Sequence, residues 1–317
     1  MRVEGRISSR DRYRYFAFYE AWNLGIVAQP LVDIVRHGIR GRVRWFPPLP
    51  PQTMLADPAC RVMPDGGLTI YAEYLDYRRP RGEIWSAEVR PGADPIAARF
   101  RPLLVQDFHM SYPFPFEGDD GAQLMTAETW QAGRALLWHE SDGSWQAAGD
   151  LLPDMKVVDP TLLRMPDRWW LFCTLEDNSA DERLYLFHTE RLGTPWTPHR
   201  RNPVKTDRSS SRPAGPIFKV DDVWIRPAQD CSNTYGGATV LHAIRRLDLD
   251  GYEEEPVRRL EPLSGPYPHG LHTICAAGDG HTLIDAKRWR FDPPRVARRL
   301  HERAIRWTRP QGAARNA

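Results

Sequence analysis

Leu55-Ala56-Asp57-Pro58, a turn at Asp65-Gly66-Gly67 and then Leu68-Thr69-Ile70-Tyr71-Ala72-Glu73 make a phrase that this chain repeats with changes. It returns as Val158-Asp159-Pro160-Thr161-Leu162-Leu163, a turn at Pro166-Asp167, and Trp169-Trp170-Leu171-Phe172. Between the two lie His109-Met110-Ser111-Tyr112-Pro113-Phe114, a turn at Asp119-Asp120-Gly121, and Gln123-Leu124-Met125. After them come Gly215-Pro216-Ile217-Phe218 with Val223-Trp224-Ile225-Arg226-Pro227, and then Gly270-Leu271-His272-Thr273 with Thr282-Leu283-Ile284-Asp285. Each copy joins short runs of branched and aromatic residues through an Asp/Gly or Pro/Asp turn, the pattern of a β-hairpin.

A hairpin alone cannot bury both of its faces. Copies recurring at roughly forty to fifty residues therefore pack on one another around a common axis. The pattern predicts an all-β fold, a five-bladed β-propeller over residues 1–293, with blades starting near 55, 109, 157, 212 and 270. A β-sandwich is the alternative, but it gives no reason for Asp-Pro to recur at one place relative to the turn. Trp22-Asn23-Leu24-Gly25-Ile26-Val27 precedes the first full blade and is expected, near 22–28, to close the ring by joining the last one. Pro47-Pro48-Leu49-Pro50-Pro51 reads as a stiff lead-in. Helical patterns are confined to Tyr13 to Glu20 and to the basic stretch Pro294 to Trp307, so 294–317 is expected to be a basic C-terminal helix and tail.

The 43 basic and 41 acidic residues nearly cancel, so net charge points neither to nucleic acid nor to an anionic membrane. No run approaches the apolar length of a membrane span. The basic start Met1-Arg2-Val3-Glu4-Gly5-Arg6 is followed by no apolar core or cleavage site of a secretory signal. Cys60, Cys173, Cys231 and Cys275 form no CxxC pair and fall near different repeats, as reduced core residues would. Together these features predict a cytoplasmic protein without a metal or other cofactor.

In a propeller the innermost strands line the central channel, so residues at equivalent strand starts meet at one mouth. Asp57, His109 or Ser111, Asp159, Arg212 and His272 hold such positions. The second strands add Glu73, Glu128, Arg226, Asp230 and the group Asp285, Lys287 and Arg288. Carboxylates set among cations suit glycoside chemistry: one activates water or attacks the sugar, another protonates the leaving oxygen, and neighbours push their pKa values apart. An Asp before Pro can instead bond its own turn; two at matching repeat positions favour a shared site. His139, His188 and His242 belong to outer strands, and Trp169-Trp170 reads as core plus one edge ring.

With these residues in place the chain resembles the five-bladed propeller superfamily of family-43 and family-32 glycoside hydrolases. More closely it resembles the N-terminal propeller of plant glucosamine inositolphosphorylceramide transferases and their bacterial relatives. Glu20-Ala21-Trp22-Asn23-Leu24-Gly25-Ile26, the Asp57, His109 and His272 phrases, Arg212-Pro213-Ala214-Gly215, and Arg226-Pro227-Ala228-Gln229-Asp230-Cys231-Ser232 with Tyr235-Gly236-Gly237 carry that likeness over roughly residues 20 to 290. The family-43 likeness implies an Asp general base in blade one and an Asp pKa modulator in blade three, which Asp57 and Asp159 match. It also implies a Glu general acid in a Glu-Gly-Pro start in blade four, which here reads Ala214-Gly215-Pro216.

An alanine donates no proton, so Glu128, Asp230 or His272 is expected to replace the acid if the site is catalytic. The alternative is a glycan-binding or accessory propeller that kept the mouth and lost the acid. A propeller that binds protein through its rim has no positive signal. Arg212, Arg226 and Arg288 point to an anionic sugar or glycoconjugate as partner. In the plant proteins the propeller accompanies a glycosyltransferase domain; none is expected within this chain, so the resemblance implies a separate glycosyltransferase as partner.

Overall fold

The computed structural model describes residues 14–177 and 179–308, the end of the last helix by its backbone alone. The expected tail at 309–317 and the basic start at 1–6 lie outside the described residues. The strands form five antiparallel sheets in a ring. Blade one is β3 (Thr53–Val62), β4 (Leu68–Asp76), β5 (Arg79–Val89) and β6 (Arg101–Leu104), and blade two is β7 (Ser111–Glu117), β8 (Gln123–Glu128), β9 (Ala135–Ser141) and β10 (Ser144–Leu152). Blade three is β11 (Val157–Arg164), β12 (Trp169–Leu175) and β13 (Arg183–Thr189), with the short β14 (Thr197–Pro198) and β15 (Lys205–Thr206) on its edge. Blade four is β16 (Phe218–Val220), β17 (Val223–Asp230), β18 (Ala238–Leu247) and β19 (Tyr252–Leu260).

Blade five joins the two halves of the sequence. Its inner strands are β20 (Leu271–Ala276) and β21 (Thr282–Phe291), and its outer ones are β1 (Phe18–Val27) and β2 (Val43–Trp45). The register of β1 on β21 is unbroken from Phe18↔Phe291 to Val27↔Thr282. The five-bladed fold and its closure by an N-terminal strand are as the repeat predicts. The helix expected over Tyr13 to Glu20 is confined, among the described residues, to 14–17, because β1 begins at Phe18.

Apolar clusters fill all five spaces between blades. They arise because a strand sends alternate side chains to opposite faces, and both faces of every blade are covered. On β12, Trp169, Leu171 and Cys173 pack toward blade two with Tyr112, Phe114 and Leu152. Trp170 and Phe172 pack toward blade four with Ile217 and Ile244. Neither Trp169 nor Trp170 is therefore an edge ring; both are buried. Likewise Ile70 and Ala72 of β4 meet blade five, while Tyr71 meets blade two. The short helix Leu31–His37 lays Leu31, Ile34 and Val35 over the space between blades four and five. All four cysteines are free, and Cys60 alone is not fully buried.

The inner strands share one irregularity. β3, β7, β11 and β20 each break register at the same point, between Ala56 and Ala59, Ser111 and Phe114, Val158 and Thr161, and Leu271 and Ile274. A bulge of this kind bends the strand and re-aims a side chain. In the first three blades it falls on an X-Pro step whose first residue has left-handed backbone: Asp57 (φ 51°), Tyr112 (φ 48°) and Asp159 (φ 50°). Such a conformation costs on the order of 1–3 kcal/mol for a residue other than glycine and clusters at functional sites.

Candidate functional site

The bulges are stitched to one another across the ring. Asp57 donates its N–H to Asp285 Oδ2 of blade five at 2.8 Å, and Tyr112 donates its N–H to Asp57 Oδ2 at 3.2 Å. Asp159 donates its N–H to Glu128 Oε2 of blade two at 3.3 Å. Ile274 donates its N–H to the Ala214 carbonyl at 2.9 Å, which ties blade five to blade four. The Tyr112 hydroxyl crosses from blade two, meeting Thr161 Oγ1 of blade three at 2.8 Å and accepting the Gly215 N–H of blade four at 2.7 Å. Equivalent strand starts are thereby held together, and the carboxyls of Asp57, Asp159, Glu73 and Glu128 come close enough that their neighbours help to raise the pKa values of Asp57, Glu73 and Glu128.

Asp57 ends a relay. His272 Nδ1 lies 2.7 Å from the Asp285 carboxylate, and its Nε2 lies 3.3 Å from Asp57 Oδ1. Asp285 also accepts the N–H groups of His272 and Thr273, and the Thr273 hydroxyl donates to Asp57 Oδ1 at 3.0 Å. Since a carboxylate only accepts, Nδ1 carries the proton toward Asp285. Burial opposes charge on His272, but Asp285 and Asp57 outweigh it and hold its pKa above the ordinary histidine value. Burial pushes Asp57 up to about 6, with His272 easing the shift and Asp285 and Asp159 adding to it. One atom from each of Asp57, His272 and Asp285 lies within 4.8 Å of the others, a spacing that would suit a cation. The hydrogen bonds just described already engage those atoms, and we read the three as a proton relay.

Asp159 is held differently. Arg212 meets it side-on, Nε to Oδ2 at 2.6 Å and Nη2 to Oδ1 at 3.3 Å, and Gln229 Nε2 donates to Oδ2 at 3.0 Å. The same guanidinium reaches Asp181 at 3.1 Å and Glu128 at 3.6 Å, and lies 5.0 Å from the Tyr235 ring centre. Glu73 and Glu128 sit on the second strands, in register with Ala56 and Ser111. Burial, followed by the neighbouring carboxylates, raises both glutamates well above the usual range, though Arg212 partly offsets this at Glu128. His109 sits beside Glu73 with Nε2 3.7 Å from Oε1, and its Nδ1 accepts the Gly82 N–H at 2.8 Å. Burial drives the His109 pKa down to about 4, so the ring is neutral at pH 7.

The aromatic wall comes from both ends of the sequence. Trp22 packs on His272 with ring centres 4.1 Å apart, and half-buried Tyr235 stands 5.4 Å from His272. Gly236 carries left-handed backbone (φ 55°) where a Cβ would come within 2.6 Å of the His272 Cβ, so a glycine is needed to seat this loop. Lys287 lies beneath, wholly buried, paired with Glu20 at 2.6 Å and flanked by the rings of Trp22 and Trp289.

Of the residues singled out by sequence, Asp57, Glu73, His109, Ser111, Glu128, Asp159, Arg212, His272 and Asp285 are brought together, with Lys287 as a support. Arg226, Asp230 and Arg288 are not. Arg226 lies inside blade four, bound to Glu254 at 2.7 Å and to the Ser210 carbonyl at 2.6 Å. Asp230 is paired with Arg259 and bonds Ser232, because its neighbour Gln229 takes the inward direction on β17. Arg288 lies over Tyr267, 5.1 Å from its ring centre. Ala214 is fully buried, and its backbone is engaged by the Pro227 carbonyl and the Ile274 N–H. Tyr112, Gln229, Thr273 and Asp181 belong to the site and were not assigned to it from sequence; the X-Pro step shared with Asp57 and Asp159 marks Tyr112.

A ring of buried carboxylates at one end of a five-bladed propeller defines a protein built like the glycoside hydrolases of that fold. An α-L-arabinofuranosidase from Podospora anserina superposes with a TM-score of 0.55 at 12% identity, covering 74% of this chain and 90% of that one. A thermostable family-43 glycoside hydrolase gives 0.50 at 13%, covering 68% and 77%. Residues 94–262 match the family described as "Glucosamine inositolphosphorylceramide transferase 1, N-terminal", and the chain belongs to that family. A rice relative, glucosamine inositolphosphorylceramide transferase 1 of Oryza sativa subsp. indica, is 30% identical over 162 residues, 49% of this chain. The chain spans about a fifth of the length of the rice relatives it matches. Among the described residues no helix is long and apolar enough to cross a membrane.

Proposed function

We propose that the mouth binds a sugar residue of a glycoconjugate and acts on its glycosidic linkage. Asp57 works at the anomeric centre, as base toward water or as nucleophile, and Asp159 with Arg212 steadies the developing charge. The observation that carries this reading is the pairing of two aspartates, one in a histidine relay and one in an arginine clamp, with two glutamates of raised pKa. Environments that separate the pKa values of neighbouring carboxyls are how acid and base roles are divided at one pH. Tyr235 offers a flat face for the sugar ring.

A neutral sugar fits better than an anionic one. Arg212 is already shared by Asp159, Asp181 and Glu128, Arg226 is neutralised by Glu254, and Lys287 by Glu20. The name of the relatives describes sugar transfer to a phosphorylceramide, which favours a glycolipid as the glycoconjugate and a separate glycosyltransferase as companion. The free cysteines suit a reducing compartment, the cytoplasm. The second reading, a pocket that binds sugar without turnover, is favoured by Ala214 in the place of the family-43 acid.

The test is a panel of aryl furanosides and pyranosides with wild type and Asp57→Asn, read by aryl release and by thermal shift. Turnover that Asp57→Asn loses by at least about 100-fold supports the proposal. A thermal shift with no turnover by wild type selects the binding reading, and neither signal overturns both.

A further inference from the structure

If Ala214 vacates the acid position, another group must protonate the leaving oxygen, and the mouth offers two carboxyls that are not already fixed as base or clamp. Glu128 is less suited: its pKa is raised as well, but its Oε2 accepts the Asp159 N–H and stands 3.6 Å from the Arg212 guanidinium, whose charge opposes that rise. Glu73 is as buried, and its pKa is raised in the same direction, but its partners differ. It is 5% exposed, and among the described residues no hydrogen bond engages its carboxyl. The charges that act on it most are the carboxyls of Asp57, Glu128, Asp159 and Asp285, with His109 alongside, and among the described residues no Lys or Arg pairs with it. β4 sets it in register with Ala56, next to Asp57. Gly82 leaves it room: a Cβ there would lie 2.6 Å from Glu73 Oε1 and 2.3 Å from the Met110 carbonyl.

From this geometry we infer that Glu73 is the proton donor of the site, replacing from blade one the acid that blade four lacks. The inference rests on the reading of the mouth as a glycosidic site. Asp57 takes a proton from water as the water oxygen bonds to the anomeric carbon. The bond from that carbon to the leaving oxygen breaks with its electron pair going to the oxygen, which receives the Glu73 proton and departs as an alcohol. Glu73 is left as a carboxylate, with His109 Nε2 3.7 Å from its Oε1. Solvent then returns the proton from Asp57 to Glu73. Burial and the acidic ring, which raise the Glu73 pKa well above its usual value, suit it to this role.

The test uses the full chain and two leaving groups on the sugar that wild type turns over, 2,4-dinitrophenol and a simple alkyl alcohol. A good leaving group needs no proton. Glu73→Gln should therefore lose at least about 100-fold on the alkyl glycoside, keep most activity on the dinitrophenyl one, and lose the alkaline limb of the pH profile. Glu73→Asp, which retains a titrating carboxyl, should keep that limb at a lower rate, and Glu128→Gln should also keep it. Equal losses on both substrates, or an alkaline limb that survives in Glu73→Gln, overturn the assignment while leaving the glycosidic reading standing. A wild type that cleaves neither substrate overturns that reading and the donor role with it. As a measurement independent of turnover, the protonated-carboxyl infrared band of wild type at pH 7 should lose one component in Glu73→Gln; an unchanged band overturns the assignment.

Discussion

Replacing Asp57 by Asn should stabilise the protein at neutral pH and do so less and less as pH falls. The native state holds the Asp57 pKa at about 6 against 3.8 for the free side chain. The folded protein therefore binds this proton more tightly than the unfolded chain. Its contribution to stability is complete below 3.8 and is lost as pH rises through about 6. At about 1.4 kcal/mol per pH unit, the full loss at pH 8 is at most about 3 kcal/mol. Asparagine carries no charge and keeps the local bonds, since its oxygen can accept the Tyr112 N–H and its amide can face the Thr273 hydroxyl. His272 loses one of its two carboxylate neighbours, which trims the gain. The expected difference is thus about 1–3 kcal/mol at pH 8, shrinking toward zero near pH 4. With about 2.1 cal/mol/K of unfolding entropy per residue over 317 residues, this corresponds to a rise in Tm of about 1.5–4.5 °C. Urea unfolding of both proteins at pH 4, 6 and 8 measures it. A variant no more stable than wild type at pH 8, or an advantage that does not fade at pH 4, would refute the account of Asp57 as a carboxylate held against its own desolvation.

Arg212→Met should cost about 3–5 kcal/mol, because Asp159 and Asp181 are left without their shared cation. Arg212→Lys should recover only part, as lysine lacks the planar fork that meets Asp159 side-on; an unchanged urea midpoint for Arg212→Met would contradict this. Tyr112→Phe removes one hydroxyl without changing the packing and leaves the buried Gly215 N–H unpaired, a loss of about 1–3 kcal/mol. Combined with Thr161→Val its effect should be less than additive, and strict additivity would argue against the bridge between blades two, three and four.

The fold was legible because the repeat is carried by residues that the fold needs. Asp-Pro marks the inner-strand bulge in blades one and three, and Pro also follows Tyr112 in blade two and Gly215 in blade four. The site was legible where the bulge carries a carboxylate and blurred where it carries something else. Tyr112 carries no charge or acid signature in the sequence, and only the Pro113 that follows it marks its place on the bulge. Arg226, Asp230 and Arg288 were placed in the mouth by proximity along the chain, whereas strand alternation decides the matter. Gln229 and Lys287 take the inward directions, whereas Arg226 and Asp230 pair with Glu254 and Arg259 of β19 in their own blade. Ion pairs such as Arg226 with Glu254 join strands about thirty residues apart, and nothing in either segment alone signals them.

The closing ladder between β1 and β21 also sets a clock on synthesis. Phe18 and Phe291 are register partners separated by about 270 residues. At about 5–20 residues per second the first strand leaves the ribosome some 14–55 s before its partner exists. During that interval Trp22, Leu24 and Ile26, all buried in the finished ring, belong to a strand whose only sheet partner yet made is the short β2. A nascent chain stalled before residue 282 should therefore present this strand to chaperones, and release of the chaperone should coincide with emergence of β21.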